Sequence, residues 1–188
     1  MTKARHVMLD LETMGTSPGC AIISIGAVDF GPDGADPAKH FHEIINMNSN
    51  VAAGLKMEPD TMSWWKSQTD AAREATYDPA MQNRGRDLGL VLSTFHKWLD
   101  TPTSAVFIWG NGADFDLPLL WTAFRACGIM RPWAPFSGRC YRTMKNMTPT
   151  VMMNREGMHH RALDDAISQA NHLARIIQTM KLTDQIFG

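Results

Sequence analysis

Two carboxylates close the first apolar segment of this sequence. Asp10 and Glu12 are separated by Leu11, and side chains along a strand point alternately to its two faces, so both acids are predicted to project from one face. At that separation they repel each other unless a cation lies between them. Carboxylate oxygens are the ligands that hard divalent ions prefer, so the pair indicates a metal site.

A second acidic group follows the most apolar segment of the chain, residues 105–109. It contains Asn111, Asp114 and Asp116, and acids at the carboxyl end of a strand lie where open α/β sheets bind their ligands. Aspartate is also a preferred helix cap, and for Asp114 we expect the cap. From the residues alone, both interpretations stay open for Asp116.

The third group lies at the start of the last predicted helix. It comprises His159, His160, Asp164 and Asp165. Spacing does not decide which acid matters, because Asp164 is four residues from His160 whereas Asp165 points away from the apolar stripe of the helix. Either acid also suits the first turn of a helix, where it interacts favourably with the macrodipole.

The elements that must position these groups are predicted from hydrophobic patterns. Short β-branched segments and one wholly apolar run predict strands at residues 7–9, 21–28, 41–45 and 105–109. Apolar residues at helical spacing predict helices from residue 59, over 86–99, 117–127 and 141–147, and from 163 to about 181. Residues 130–158 are the least regular part. The pattern predicts an α/β sandwich with one mixed sheet of about five strands flanked by helices, in a single domain over residues 1–188.

Composition limits the classes of protein to which the chain can belong. It has 188 residues, a formal charge of −1, 44% apolar and 20% charged residues, which exclude disordered, collagenous and coiled-coil chains. Three widely spaced cysteines and the lack of a predicted signal peptide or membrane span favour a cytoplasmic protein. Near-neutral charge gives no overall attraction for nucleic acid. Residues 139–161 nevertheless contain five basic residues against one acid, which predicts a basic rim beside the third group.

In this order and at these distances, the three groups resemble the motifs of the DEDDh family of 3′-to-5′ exonucleases. The matching patterns are Asp10-x-Glu12-Thr13, Asn111-x-x-x-Phe115-Asp116 and His160-x-x-x-x-Asp165. The resemblance extends from residue 7 to about residue 175 and implies the ribonuclease-H-like exonuclease fold. A further segment, Thr61-x-x-Trp64-Trp65-x-x-Gln68, is most similar to a phage and bacterial branch of that family.

The resemblance implies roles for the acids and for one histidine. Asp10, Glu12, Asp116 and Asp165 would hold two Mg²⁺ or Mn²⁺ ions, and the choice of Asp165 over Asp164 rests on the resemblance. His160 would act as general base. In the family this histidine comes from a mobile loop, to which residues 146–159 correspond here. The expected reaction hydrolyses single-stranded nucleic acid from its 3′ end to nucleoside 5′-monophosphates, with DNA favoured over RNA.

Four other functions stay open at this point. The chain would be a 3′-5′ exoribonuclease, a non-catalytic module that binds nucleic-acid ends, a metal-dependent phosphoesterase for nucleotides or other small molecules, or a purely structural interaction domain. Four intact acids that repel one another argue against the non-catalytic module. A homodimer is also left open, because some relatives act as dimers.

Candidate substrate contacts are less sharply indicated than the metal ligands. Trp64 and Trp65 are adjacent and point about 100° apart on a helix, so we expect one in the core and the other free to stack on a base. The remaining candidates lie within or beside the motifs and are Thr13, Met14, Asn111, Phe115 and Arg161.

Overall fold

A five-stranded mixed sheet forms the centre of the computed structural model, which describes residues 4–99 and 106–188. Its strands are β1 (Arg5–Thr13), β2 (Ile22–Gly31), β3 (Gly34–Ile44), β4 (Val106–Gly110) and β5 (Gly138–Cys140). They lie in the order β3-β2-β1-β4-β5; β1 to β3 are antiparallel, whereas β4 is parallel to β1 and β5 to β4. The predicted mixed sheet is confirmed, and Ala105 of the predicted fourth strand lies outside the described residues.

Helices cover both faces of the sheet. They are α1 (Met47–Ala52), α2 (Pro59–Lys66), α3 (Asp70–Ala72), a π-helical turn (Arg73–Tyr77), α4 (Asp78–Met81), α5 (Leu88–Leu99), α6 (Asp116–Ala126), α7 (Tyr141–Met147), α8 (Ala162–Thr179) and α9 (Thr183–Phe187). The long helices lie close to the predicted positions. No helix within the described ranges combines the length and the apolar character that crossing a membrane requires.

Strand β1 lies between two cores because its side chains alternate between the faces of the sheet. Val7, Leu9 and Leu11 enter one core together with residues of α5 and α6. Met8 enters the other core, which is formed mainly with α8. The period of two therefore places the side chains of Asp10 and Glu12 on the face that α8 covers.

Gly26 allows α8 to begin directly on the sheet. This glycine of β2 is paired with Asp10 of β1, and a Cβ atom added to it would lie 2.2 Å from the carbonyl carbon of Ala162. No side chain fits in that space. The first turns of α8 consequently approach Asp10 closely, and they carry Asp165 and Gln169 with them.

Three local predictions require correction. The cap predicted for Asp114 is wrong: the N-cap of α6 is Phe115, it has no side-chain cap bond, and Asp114 is exposed. The first strand does not end at the acid pair but continues through Thr13. The segment described as least regular contains strand β5, whose three residues are too few for a pattern of period two.

Candidate active site

Three carboxylates converge at the edge of a cavity of about 220 Å³ between β1 and α8. Asp10, Glu12 and Asp165 each bring an oxygen within 4.8 Å of the others, and we call these three residues the acid cluster. The cavity is lined further by Leu11, Asn111, Tyr141, Lys145, Met153, Arg155, His159, His160 and Gln169. The structure thus unites the first and third groups of the sequence.

Asp116 lies beside the acid cluster and is almost completely buried. Its Oδ1 accepts the backbone N–H of Leu11 at 3.2 Å, and its Oδ2 accepts the backbone N–H of Asn111 at 2.9 Å. These bonds join the start of α6 to β1 and to the end of β4. Backbone N–H groups thus fix the carboxylate of Asp116 in place. For this reason Asp116, rather than Asp114, anchors the loop before α6.

The two adjacent acids of α8 have different surroundings. Asp165 Oδ2 accepts the backbone N–H of His160 at 2.8 Å and faces the cavity. Asp164 instead forms an ion pair with Arg161 at 3.0 Å and accepts the backbone N–H of Met158. The geometry brings Asp165, and not Asp164, to the acid cluster.

Burial and mutual repulsion disfavour the ionised carboxyl groups. Burial raises the pKa of Asp10 well above its ordinary value, and the charges of Asp116, Glu12 and Asp165 raise it further. Burial, followed by the charges of Asp165 and Asp116, raises the pKa of Glu12 to about 8. Burial also raises the pKa of Asp116 to about 6, although the backbone hydrogen bonds that Asp116 accepts act to lower this pKa. A divalent cation would supply the charge that allows all these groups to ionise.

The remaining polar atoms of the cavity also fit a hard cation and its water ligands. Gln169 donates from Nε2 to Asp10 Oδ1 at 2.7 Å. Its Oε1 and the Oδ1 of Asn111 are buried, and neither accepts a hydrogen bond from any part of the chain that the structure describes. Both residues line the cavity. Water molecules retained by a bound Mg²⁺ or Mn²⁺ ion would satisfy these two buried acceptors.

His160 lies next to Asp165: His159, His160 and Asp165 each bring a nitrogen or oxygen atom within 4.8 Å of the others. Its backbone is in the left-handed region with φ 65°, and its carbonyl accepts a hydrogen bond from Thr76 Oγ1 at 2.9 Å. The ring centroids of Trp64 and His159 lie 5.0 Å and 3.7 Å from that of His160. Burial, and then the neighbouring His159, lowers the pKa of His160. The imidazole is therefore neutral at physiological pH and able to accept a proton.

A second cavity, of about 500 Å³, adjoins the first and shares Leu11 and Glu12 with it. Its lining is mainly apolar and includes Thr13, Trp64 and Phe115. Flat aromatic walls beside a cluster of carboxylates fit a nucleobase whose phosphate lies at the carboxylates.

One of the two tryptophans is buried and the other is exposed, as their spacing predicts. Trp65 is 1% exposed, stacks on Tyr77 and donates from Nε1 to the carbonyl of Thr13 at 2.9 Å. Trp64 is 43% exposed, and it lines the second cavity together with Trp65. Met14 is wholly buried in the core, so its side chain is not available to a ligand.

The predicted basic rim is only partly directed at the site. Lys145 and Arg155 line the cavity of the acid cluster. Arg142 donates to the carbonyl of Asn111 at 2.5 Å, and Arg139 lies over the ring of Phe107. Arg161 lines neither of the two cavities and forms its ion pair with Asp164.

Sequence reasoning missed three residues that hold the site together. Gln169 is four residues after Asp165 on the same helix, so helical spacing was a usable signal. Arg155 was included only in the charge of the rim, although it forms an ion pair with Asp165. Thr76 gave no local signal, because its contact with His160 joins residues that are 84 positions apart.

Comparisons with known proteins identify a matching family and similar structures. The family model described as the Rv2179c-like 3′-5′ exoribonuclease domain matches residues 5–177. An exodeoxyribonuclease of Enterobacteria phage T4 is 24% identical over 123 residues, which cover 60% of this chain and 52% of the phage protein. The matched region thus spans about half the length of that relative.

Solved structures show the same fold at low sequence identity. The nuclease domain of 3′hExo, a DEDDh family member bound to rAMP, is 14% identical with a TM-score of 0.65, covering 97% of this chain and 96% of that one. Pop2p of S. pombe with Mg²⁺ and Mn²⁺ is 14% identical with a TM-score of 0.66, covering 96% and 85%. E. coli exonuclease I with a dT13 oligonucleotide is 14% identical with a TM-score of 0.65, covering 97% and 43%. These likenesses confirm the predicted ribonuclease-H-like exonuclease fold.

Proposed function

The chain belongs to the family of Rv2179c-like 3′-5′ exoribonuclease domains, and on that premise we propose that it is a metal-dependent 3′-5′ exonuclease acting on single-stranded nucleic acid. We further propose that residues 1–188 form one domain. The observation that carries the activity is that three carboxylates lie within 4.8 Å of one another. One of them, Asp165, also accepts a hydrogen bond from the backbone N–H of His160. The proposed products are nucleoside 5′-monophosphates released from the 3′ end.

Two divalent ions are the proposed cofactors. Asp10, Glu12 and Asp165 supply converging carboxylates, and Asp116 supplies a fourth that the backbone fixes beside Asp10. When bound, a pair of Mg²⁺ or Mn²⁺ ions stabilises the attacking and leaving oxygens of a phosphodiester. A structurally similar protein supports this choice, since the solved structure of Pop2p contains Mg²⁺ and Mn²⁺.

His160 is the proposed general base. Its pKa is lowered by burial and by His159, so the ring is neutral and accepts a proton from the attacking water at neutral pH. Hydrogen bonds to its backbone from Thr76 and toward Asp165 hold the residue at the mouth of the cavity. The chain therefore fixes the position of the base through its main chain.

The second cavity is the proposed site of the 3′-terminal nucleotide. Thr13, Trp64 and Phe115 line it, and Glu12 lies at its boundary with the acid cluster. A base held there places its 5′ phosphate at the carboxylates. The matched family is one of exoribonuclease domains, whereas the phage relative is an exodeoxyribonuclease. We propose a slight preference for DNA over RNA, which assays with both substrates test.

Degradation of end-labelled strands tests the activity. We expect the protein with Mn²⁺ to shorten 5′-labelled single-stranded DNA or RNA one nucleotide at a time, and to release labelled mononucleotide at once from 3′-labelled strands. EDTA should abolish both results. Ion-dependent retardation of the strand in a gel without any cleavage would contradict the proposal and favour the non-catalytic module.

The tryptophan pair gives a separate prediction about binding. Trp64→Ala is expected to raise the KM for a single-stranded oligonucleotide about tenfold with little change in Tm, because stacking is worth about 1–3 kcal/mol per base. Trp65→Ala removes a buried ring and should destabilise the protein by about 3–5 kcal/mol. Steady-state kinetics and thermal unfolding separate the two effects. Trp64→Phe, which keeps an aromatic face, is the control; an unchanged KM for Trp64→Ala would refute base stacking at this position.

A further inference from the structure

Arg155 is a basic residue that forms an ion pair with the acid cluster. Its Nη1 donates to Asp165 Oδ1 at 2.7 Å. Within residues 4–99 and 106–188, this is the only ion pair formed by any residue of the acid cluster. The guanidinium therefore carries the one directly paired positive charge at carboxylates that otherwise repel one another.

The contact is built so that it can be released. Arg155 lies between α7 and α8 in a segment that belongs to no helix or strand, and 49% of its side chain is exposed. Its bond to Asp165 is the only hydrogen bond that its side chain makes in the described part of the chain. A guanidinium has five N–H donors, so most of its binding capacity is unused. Partly exposed ion pairs of this kind are weak and easily exchanged.

Arg155 and a divalent cation compete for the same carboxylate. Asp165 Oδ2 is occupied by the backbone N–H of His160, and Oδ1 is occupied by Arg155. A cation held jointly by Asp10, Glu12 and Asp165 would use a carboxylate oxygen of Asp165 as a ligand, and its charge would repel the neighbouring guanidinium. Displacement would leave the guanidinium in the same cavity, where its planar pair of donors matches phosphate oxygens.

We propose that Arg155 is a ligand for the substrate phosphate. Its ion pair with Asp165 keeps the guanidinium from binding phosphate until divalent ions bind. The proposal rests on the proposed function, since it places the phosphate at the acid cluster. The side chain of Arg155 thus has two successive partners, Asp165 before the ions bind and the substrate phosphate afterwards. Arg155 consequently opposes metal binding and favours nucleotide binding.

Metal titration tests the first half of this proposal without any turnover. Calorimetric titration with Mn²⁺ should show about two- to fivefold tighter binding for Arg155→Gln than for the wild type, as expected for loss of a weak competing ion pair. Arg175→Gln is the matched control, because Arg175 donates to Met152 of the same segment and contacts no acid of the cluster. Unchanged or weaker Mn²⁺ binding by Arg155→Gln would overturn the proposal.

Nucleotide binding tests the second half. With saturating Mn²⁺, thymidine 5′-monophosphate should bind Arg155→Gln about tenfold more weakly, the loss of a charged hydrogen bond, and Arg175→Gln normally. Arg155→Lys should recover part of the affinity, because it keeps the charge but not the planar fork. Equal affinities for Arg155→Gln and the wild type would refute the phosphate role. If both shifts occur and no strand is cleaved, the exonuclease proposal fails and the assignment of Arg155 stands.

Discussion

Asp10→Asn is expected to lower turnover on the order of 10³-fold while raising the thermal stability of the metal-free protein. Turnover falls because Asp10 lies at the centre of the carboxylates that would hold the ions, and lost charge stabilisation costs about this much. Stability rises because the pKa of Asp10 is raised on folding. A carboxyl group whose pKa is raised on folding lowers the stability of the protein at pH values above its unfolded-state pKa, so at neutral pH a neutral amide in its place stabilises the fold.

Thermal unfolding in EDTA and then in Mn²⁺ measures both consequences. For a chain of this size about 1 kcal/mol corresponds to about 2–4 °C in Tm, so we expect Asp10→Asn to unfold a few degrees higher in EDTA. Its stabilisation by Mn²⁺ should largely disappear. Asp114 is exposed and occupies a variable position inside the second motif, so Asp114→Asn should retain wild-type activity and Tm. A fully active Asp10→Asn variant would exclude the proposed metal site.

His160→Asn should lower turnover by about 10²- to 10⁴-fold, the contribution of a general base, and leave Mn²⁺ binding intact. Asparagine suits this position because the backbone has φ 65°, a conformation that asparagine tolerates better than most residues. The hydrogen bonds of the backbone to Thr76 and Asp165 do not depend on the imidazole. The substitution therefore removes the base without disturbing the acid cluster.

His159→Asn is the matched comparison for this variant. The two histidines are adjacent with ring centroids 3.7 Å apart, so general effects of ring loss on the cavity should be similar in both. We expect His159→Asn to lose less than about tenfold in turnover, because the backbone of His160, and not that of His159, is bonded to Asp165. Equal losses in the two variants, or a wild-type rate for His160→Asn, would remove His160 from the role of base.

Much of the site could be predicted because its chemistry follows local periodicity. Asp10 and Glu12 share a face through the period of two of β1, and the structure places both on the side of α8. Asp165 was separated from Asp164 only by the family resemblance. Helical geometry alone could not choose between them, because the choice depends on where the segment carrying His160 joins α8 and how Asp164 pairs with Arg161.

The features that escaped prediction depend on contacts between distant parts of the chain. Strand β5 exists because three residues pair with β4, and nothing in their own sequence specifies that pairing. Thr76 lies in a π-helical turn that no apolar pattern marks, yet it holds the carbonyl of His160. Asp114 is not the cap, and Asp116 instead accepts two backbone N–H groups, one from Leu11 of β1 and one from Asn111 just after β4. Local propensity is weak where tertiary hydrogen bonds compete with it.

The close approach of α8 to Gly26 has a consequence for how this site can evolve. The separation between Asp10 and Asp165 is set by the absence of a side chain on β2, a strand that contributes no residue to the acid cluster. A single added methyl group there would displace the helix that carries Asp165, with every reactive residue unchanged. Catalysis therefore depends in part on Gly26, a residue that has no reactive side chain. A survey of reactive side chains alone would treat this position as neutral.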